Sequence, residues 1–311
     1  MRKAVIDVGS NSVLLVVAEQ VDGHWNYLYE DTAVTALGEG TKTTGLLGEA
    51  GMSATLEALA QFFGKAREFG AESIVAGATM AARIATNTGD FLTRAEEQGT
   101  PCVVLSGEDE AQLGFLAVAN DPIFADAQRL SIIDPGGHST ELVTADRTPD
   151  GWDVKFRKSY PVGTLGLRST HFPQERISPM EMLRGVSYVD DLIGLAYRPN
   201  EGGIAVVLGA TGTNLVTIRE KMTEWQPDKV HGAWLDYEEV SKAFGWLAPM
   251  SDEERAHVVG IEKGREKTIH LGALILERFL HALRILGCRV SVRGWRHALL
   301  EYGVPSETEE R

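Results

Sequence analysis

The chain has 311 residues, with 30 Lys and Arg against 44 Asp and Glu, giving a formal net charge of −14. Its 43% hydrophobic and 24% charged content is that of an ordinary globular protein, not a disordered or fibrous one. The acidity argues against non-specific binding to DNA or an anionic membrane, whose phosphates would be repelled at long range, but it leaves room for a small phosphorylated ligand in a local cradle of N–H groups.

A single hydrophobic core stops growing at about 250–300 residues, so the length predicts two domains. At the start, Asp7 and Gly9 interrupt the chain before any apolar stretch of signal-peptide length, which argues against export. The longest apolar runs, 13–18 and 271–276, fall short of a membrane span. Cys102 and Cys288 are too few for a disulfide framework and predict a reducing, cytoplasmic compartment. The histidines lack the spacing of a zinc site.

Residues 3–6 form an apolar run that stops at Asp7-Val8-Gly9-Ser10-Asn11-Ser12, and 13–19 resume as strand. A hairpin is expected, its Gly and Asn supplying positive φ. Residues 32–45 are polar and Gly-rich and predict a loop. Met52, Leu56, Leu59, Phe62 and Phe63 recur at helical spacing over 51–69, with Gly51 or Ser53 near the cap. A buried strand is expected at 73–78, a short helix at 90–98 and a strand at 102–105. Ser106 and Asp109 fit a capping box opening a helix over 108–119.

A second half begins near Asp121-Pro122. Residues 130–133 run into Asp134-Pro135-Gly136-Gly137-His138-Ser139-Thr140, with a strand over 141–144. An offset of 127 residues lays this segment on the first hairpin, with identities at Ile6/Ile133, Asp7/Asp134, Gly9/Gly136, Ser12/Ser139, Leu15/Leu142, Val16/Val143 and Ala18/Ala145. The match is an internal duplication. It predicts two similar α/β lobes, each opening with the same hairpin and facing the other across a cleft.

Beyond it, a strand over 204–208 breaks into Gly209-Ala210-Thr211-Gly212-Thr213-Asn214 before a helix from about Leu215. Residues 264–286 predict one long helix with Ile269, Ala273, Leu276, Leu280 and Leu283 on one face. A last strand over 290–292 precedes a closing helix over 295–301 that returns to the first lobe. The tail from Pro305, with Glu307, Glu309 and Glu310, is expected to fray.

Two Asp-x-Gly turns can make two anion nests, with backbone N–H groups supplemented by the hydroxyls of Ser10, Ser12, Ser139 and Thr140. Asp7 and Asp134, at the ends of buried strands, are hard oxygen ligands suited to Mg²⁺. A lone turn of this kind would be an ordinary Asx-stabilised bend; the repeat favours a magnesium–phosphate site. Gly209–Asn214 is a third candidate cradle for a phosphate or nucleoside, or an ordinary strand-to-helix turn, since it lacks the ending of a Walker loop. Glu108, Asp109 and Glu110 crowd a helix N-terminus, where the dipole stabilises negative charge; alternatively one of them activates a water for attack on phosphorus.

Asp7-Val-Gly-Ser-Asn-Ser, Ser106-Gly-Glu-Asp-Glu-Ala, Asp134-Pro-Gly-Gly-His-Ser-Thr-Glu and Gly209-Ala-Thr-Gly-Thr, in this order and spacing, resemble the exopolyphosphatase/guanosine pentaphosphate phosphohydrolase (Ppx-GppA) family. Ala81-Ala-Arg-Ile-Ala-Thr-Asn, Pro161-Val-Gly-Thr-Leu-Gly-Leu-Arg and the segment 265–276 support it. The resemblance covers nearly the whole chain and implies an α/β fold of two ribonuclease-H-like lobes, as in the acetate and sugar kinase, heat-shock-70 and actin superfamily. The lobes would comprise 1–121 with 294–311, and 122–293.

By the same resemblance, Glu110 is the acid that positions and deprotonates the attacking water, and Arg83 clamps phosphate oxygens, a task suited to a guanidinium fork. Asp134 and Glu141, with Asp7, match the metal-binding acids. Ser10, Asn11 and Ser12 match the first phosphate loop; Gly136, Gly137, His138 and Ser139 match the second. Gly209, Thr211, Gly212 and Thr213 stand at the nucleoside or phosphate loop.

Three departures stand out. Pro135 replaces an aliphatic residue and removes an N–H donor. His138 replaces a glycine, either silently or as an added cation when protonated. Ala36 stands where relatives often carry a basic residue. Lys155, Arg157, Lys158 and Arg168 form a candidate basic strip for a polyanion, or a solvated face.

The function implied is Mg²⁺-dependent release of orthophosphate from inorganic polyphosphate. Alternatives are a guanosine pentaphosphate 5′-phosphohydrolase, a catalytically weak sensor of guanosine tetraphosphate or polyphosphate, and a kinase of the same superfamily. Pairing into a homodimer is left open.

Overall fold

The computed structural model describes residues 1–194 and 203–303; the tail from Pro305 lies outside them. The chain divides into two compact units, Met1–Ala117 with the segment from Gly294, and Val118–Arg293. Among the described residues no helix is long and apolar enough to cross a membrane.

The first unit runs β1 (Arg2–Val8), β2 (Ser12–Val21), β3 (His24–Val34), α1 (Thr41–Thr44), α2 (Glu49–Glu68), β4 (Ser73–Ala78), α3 (Met80–Ile84), α4 (Thr88–Glu97), β5 (Val103–Val104) and α5 (Gly107–Ala119). Its sheet order is β3-β2-β1-β4-β5, with β1–β2 and β2–β3 antiparallel and β1–β4 and β4–β5 parallel. Alternate residues of β1 serve two cores. Ala4, Ile6 and Val8 pack with Leu59, Phe62 and Phe63 of α2, while Val5 packs with Leu105 and Leu113 on the other face. Burial on both faces explains why the strand reads as a continuous apolar run.

The second unit runs through a 3-10 turn (Pro122–Phe124), β6 (Arg129–Pro135), β7 (Thr140–Thr148), β8 (Gly151–Tyr160), α6 (Thr164–Thr170), α7 (Pro179–Ile193), β9 (Ile204–Val207), α8 (Gly209–Arg219), α9 (Pro227–Val230), β10 (Trp234–Asp236), α10 (Tyr237–Leu247), α11 (Asp252–Ala256), α12 (Ile269–Leu283) and β11 (Gly287–Val290). Its sheet order is β10-β11-β9-β6-β7-β8. The final helix, α13 (Trp295–Tyr302), belongs to the first unit, where Trp295, Ala298, Leu299 and Leu300 pack with Val5 and Val16. Each unit is a mixed α/β lobe of the ribonuclease-H type.

The duplication extends to backbone detail. Ile6 pairs with Leu15 as Ile133 pairs with Leu142. The β2–β3 ladder shifts register between Val17 and Ala18, and the β7–β8 ladder shifts at the equivalent Thr144 and Ala145. A parallel strand flanks each hairpin, β4 beside β1 and β9 beside β6.

Several local expectations are corrected. Neither Gly9 nor Asn11 has positive φ. Gly9 is required by close approach instead: its N–H donates to the Ser12 carbonyl at 2.9 Å, and a Cβ there would lie 3.0 Å from that oxygen. Within 32–45, residues 32–34 complete β3 and Thr41–Thr44 make one helical turn. Helix α2 starts at Glu49 behind Gly48, so neither Gly51 nor Ser53 is its cap; Gly51 lies where a Cβ would come 3.0 Å from the Ala36 carbonyl. Helix α8 begins at Gly209 rather than Leu215. Helix α12 begins at Ile269 rather than residue 264 and is buried on every side over its first 12 residues, the pattern of a central helix rather than an amphipathic surface one. The last strand falls at Gly287–Val290, not 290–292.

Candidate active site

In the first unit, the β1–β2 turn encloses Ser10, Asn11 and Ser12. Its carbonyls face backwards. Ser10 accepts from the Gly38 N–H at 2.8 Å, and Asn11 accepts from the Thr35 and Ala36 N–H groups at 3.0 Å each. Ala36, at φ 50°, thus supports the turn through its backbone. The Ser10 hydroxyl accepts from the Ala81 N–H at 3.2 Å, joining the turn to α3. The buried Asn11 amide Nδ2 has no acceptor among the described residues. A buried donor left unsatisfied costs about 1–3 kcal/mol, a deficit that an anion would remove.

Asp7 ends the buried run of β1. Its Oδ1 is enclosed and has no hydrogen-bond partner among the described residues. Burial, reinforced by the nearby Glu110 charge, pushes its carboxyl up to about 8 against the opposing effect of Arg296 and a hydrogen bond from Trp295. Trp295 and Arg296 are the residues that the sequence patterns do not reveal. They lie almost a full chain length from Asp7, and no local motif marks the contact.

Of the three acids at the start of α5, the structure separates the roles. Asp109 is a capping residue: its N–H donates to the Ser106 hydroxyl at 3.0 Å, and its carboxylate accepts from that hydroxyl at 2.7 Å. Glu108 is exposed. Glu110 is withdrawn from solvent and paired with Arg83 at 2.8 Å, the side chains being only 13% and 18% exposed. Arg83 also donates to the Leu105 carbonyl at 2.8 Å. Arg83 therefore meets Glu110 directly, and the pair sits in the same unit as Asp7 and the first turn.

In the second unit the β6–β7 turn repeats the skeleton. Gly136 N–H donates to the Ser139 carbonyl at 2.8 Å, and a Cβ on Gly136 would lie 3.0 Å from that oxygen. The Gly136 and Gly137 carbonyls accept from Thr164, Leu165 and Gly166 at 2.8–3.0 Å, so the start of α6 anchors this turn. Gly163 comes so close that a Cβ would lie 2.4 Å from the His138 nitrogen. His138 itself is 1% exposed. Asp134 pairs directly with Glu141, so both side chains share one face of the sheet. Glu141 accepts from the Ser159 hydroxyl at 2.6 Å.

The third candidate loop is largely packing. Gly209, at φ 74°, stands beside the site, where a Cβ would lie 3.2 Å from Asp134 Oδ1. Gly212 abuts Val207 and Val290, and Thr211 fills the space above Gly272 of α12. The Thr213 hydroxyl donates to the Ala210 carbonyl at 3.3 Å within the helix. The basic strip is likewise engaged locally: Arg168 pairs with Asp252 at 2.9 Å, Lys155 pairs with Asp153 and Lys158 lies 4.4 Å from the Tyr160 ring.

The sequence profile of the Ppx/GppA phosphatase family matches residues 16–307. The chain belongs to that family. It is 28% identical to Exopolyphosphatase 1 of Mycobacterium tuberculosis, over 99% of this chain and 90% of that protein. Against Exopolyphosphatase 1 of Mycobacterium leprae it is again 28% identical, over 99% and 91%. Among solved structures, the Aquifex aeolicus family member shares 31% identity with a TM-score of 0.79, covering 100% of this chain and 99% of the other. An exopolyphosphatase from Cytophaga hutchinsonii shares the fold, with a TM-score of 0.85 at 19% identity and 96% coverage of each chain. As a Ppx/GppA phosphatase the chain is a phosphoanhydride hydrolase with the two-lobe, actin-like fold.

Among the described residues of this Ppx/GppA phosphatase, no three His, Cys, Asp or Glu side chains gather into a metal cluster. Mg²⁺ binds through one or two carboxylates, with substrate phosphates and waters completing its shell. Within the first unit Asp7 Oδ1 lacks a hydrogen-bond partner among the described residues, and within the second Asp134 stands opposite Glu141; each is an oxygen donor of the kind Mg²⁺ takes.

Proposed function

We propose that this Ppx/GppA phosphatase is a cytoplasmic exopolyphosphatase that releases orthophosphate from the end of inorganic polyphosphate with the help of Mg²⁺. The observation that carries this is the gathering, in one unit of a chain related to exopolyphosphatases, of an enclosed acid, an amide donor lacking an acceptor and a shielded Arg–Glu pair. The first turn and the Asn11 amide bind the terminal phosphoryl group, and Arg83 balances its oxygens. Arg83 also orients Glu110, which accepts a proton as water oxygen attacks phosphorus and the bridging P–O bond breaks. Asp7 in the first unit, and Asp134 with Glu141 in the second, are each candidate holders of Mg²⁺, whose chemistry when bound is to neutralise phosphate charge.

Polyphosphate is placed ahead of guanosine pentaphosphate because Thr211 and Gly212, in the middle of the candidate nucleoside loop 209–214, are engaged in packing against α12, Val207 and Val290. A phosphate-release panel tests the assignment, using short and long polyphosphate, guanosine pentaphosphate and ATP, with and without Mg²⁺. Release from polyphosphate, with Mg²⁺ and no acceptor, is the expected result. Release from guanosine pentaphosphate alone would assign the 5′-phosphohydrolase activity instead. Nucleotide binding without turnover would make the chain a sensor.

A further inference from the structure

Helix α6 is only 7 residues long, too short to hold a helical shape unaided, yet both of its ends are tied down. At its start, the Thr164, Leu165 and Gly166 N–H groups donate to the Gly136 and Gly137 carbonyls of the second turn at 2.8–3.0 Å. The buried Thr140 hydroxyl, just after that turn, donates to the Val162 carbonyl at 2.7 Å. Gly163 completes the junction, since a Cβ there would lie 2.5 Å from the Gly137 carbonyl oxygen. Packed this closely, the turn and the start of the helix shift together.

At the other end, Arg168 occupies the last turn of α6. One of its nitrogens donates to the Gln174 carbonyl at 2.7 Å and another to Asp252 Oδ2 at 2.9 Å. The second oxygen of Asp252 accepts from Arg255. Arg255 is fully enclosed, and every N–H donor of its guanidinium is taken. Beyond Asp252, those donors go to the carbonyls of Glu175, Leu247, Met250 and Glu266 at 2.5–3.0 Å. A guanidinium buried this deeply needs a carboxylate to balance it and holds that carboxylate in place. Asp252 is thus a fixed point, and Arg168 moors the tail of α6 to it.

We infer that Arg168 is a positioning residue for the second turn: by mooring α6 to the Asp252–Arg255 anchor, it fixes where the first N–H groups of the helix hold the Gly136 and Gly137 carbonyls. With those carbonyls engaged, the turn's own N–H groups can serve an anion. This role rests on the proposed reading of the chain as a polyphosphate hydrolase, with the second turn holding a substrate phosphate.

The test uses the full chain, following amide hydrogen exchange in the peptide spanning 163–169 together with phosphate release from polyphosphate. Arg168→Met keeps the stem of the side chain and leaves Asp252 paired with Arg255, so no buried charge is orphaned. It should unfold near the wild-type temperature while the amides of 164–166 exchange about 10-fold faster. KM for polyphosphate should rise about 10-fold with kcat little changed, the signature of lost substrate binding. Arg168→Lys, which restores a cation beside Asp252, should recover most of both changes. Should Arg168→Met fail to fold, Arg168→Gln takes its place in the same measurements. Wild-type exchange at 164–166 would overturn the inference, because a brace confined to Gln174 and Asp252 leaves the turn untouched; if KM rose all the same, Arg168 would be a substrate ligand. Faster exchange with wild-type KM and kcat would overturn it too. If the wild type releases no phosphate while Arg168→Met still quickens exchange, the functional reading fails and the mooring of the turn stands.

Discussion

The β1–β2 and β6–β7 turns share a skeleton and differ in chemistry. Both close with a glycine N–H on a serine carbonyl, at 2.9 Å in one and 2.8 Å in the other. In both, the segment after the third strand anchors the turn's carbonyls, residues 35–38 in the first unit and 164–166 in the second. The side chains diverge on that frame. Opposite Asp7 stands Leu14, whereas opposite Asp134 stands Glu141. The first turn has an isolated buried acid with the charge of Glu110, paired with Arg83, acting on it; the second has two carboxylates on one face. Duplication thus supplied two turns on one skeleton, and the surrounding elements gave their carboxylates different settings.

The sharpest way to break this comparison is to remove the acid of α5, whose charge acts on Asp7 of the first unit. Glu110→Ala should lower kcat for phosphate release by about 10²–10⁴-fold with little change in KM. A wild-type rate from the purified variant would remove Glu110 from the chemistry. The second turn should answer differently. Glu141→Gln keeps the shape and the Ser159 contact but removes charge, so the Mg²⁺ concentration giving half-maximal rate should rise by about 10–100-fold. If instead kcat falls at saturating Mg²⁺ with no change in the Mg²⁺ requirement, the division of labour between the turns is wrong.

A stability measurement sharpens the same contrast. In the absence of a cation the Asp7 carboxyl is raised to about 8, chiefly by burial, so the folded state disfavours its ionisation. An acid raised on folding destabilises the fold above its unfolded value, near 4, with the full penalty reached as pH passes about 8. Asp7→Asn in EDTA should therefore raise Tm by several degrees at pH 8 and by progressively less towards pH 4. A Tm difference that does not change with pH would show that burial of the charge is not what strains the first turn.

Much of this was legible in the sequence, for identifiable reasons. The hairpins and their duplication are visible because both faces of β1 and β6 are buried, which constrains the same positions in both copies. Glu110 and Arg83 were reached by resemblance, and the structure adds that they meet each other. Thr211 and Gly212 misled because small polar residues beside a strand end suit a phosphate loop and tight helix packing equally well. Arg83's partner and the Trp295 contact with Asp7 depend on long-range packing that no local period encodes. The end of edge strand β3 reads as loop in the sequence because its residues, mostly exposed, carry no apolar alternation.

The smallest expected effect tests whether the shared skeleton is energetically shared as well. A Cβ at Gly9 and a Cβ at Gly136 would each lie 3.0 Å from the carbonyl oxygen of the serine three residues on. Neither glycine has positive φ, so alanine adds no backbone strain, and the cost reduces to one crowded contact. Gly9→Ala and Gly136→Ala should each destabilise by about 1 kcal/mol, and by amounts equal within about 0.5 kcal/mol, in denaturant unfolding monitored separately for the two units. Unequal values would locate a difference in how firmly each turn is anchored. Because the first is tied by residues 35–38 and the second by the start of α6, the softer of the two segments would yield to the added methyl and show the smaller loss.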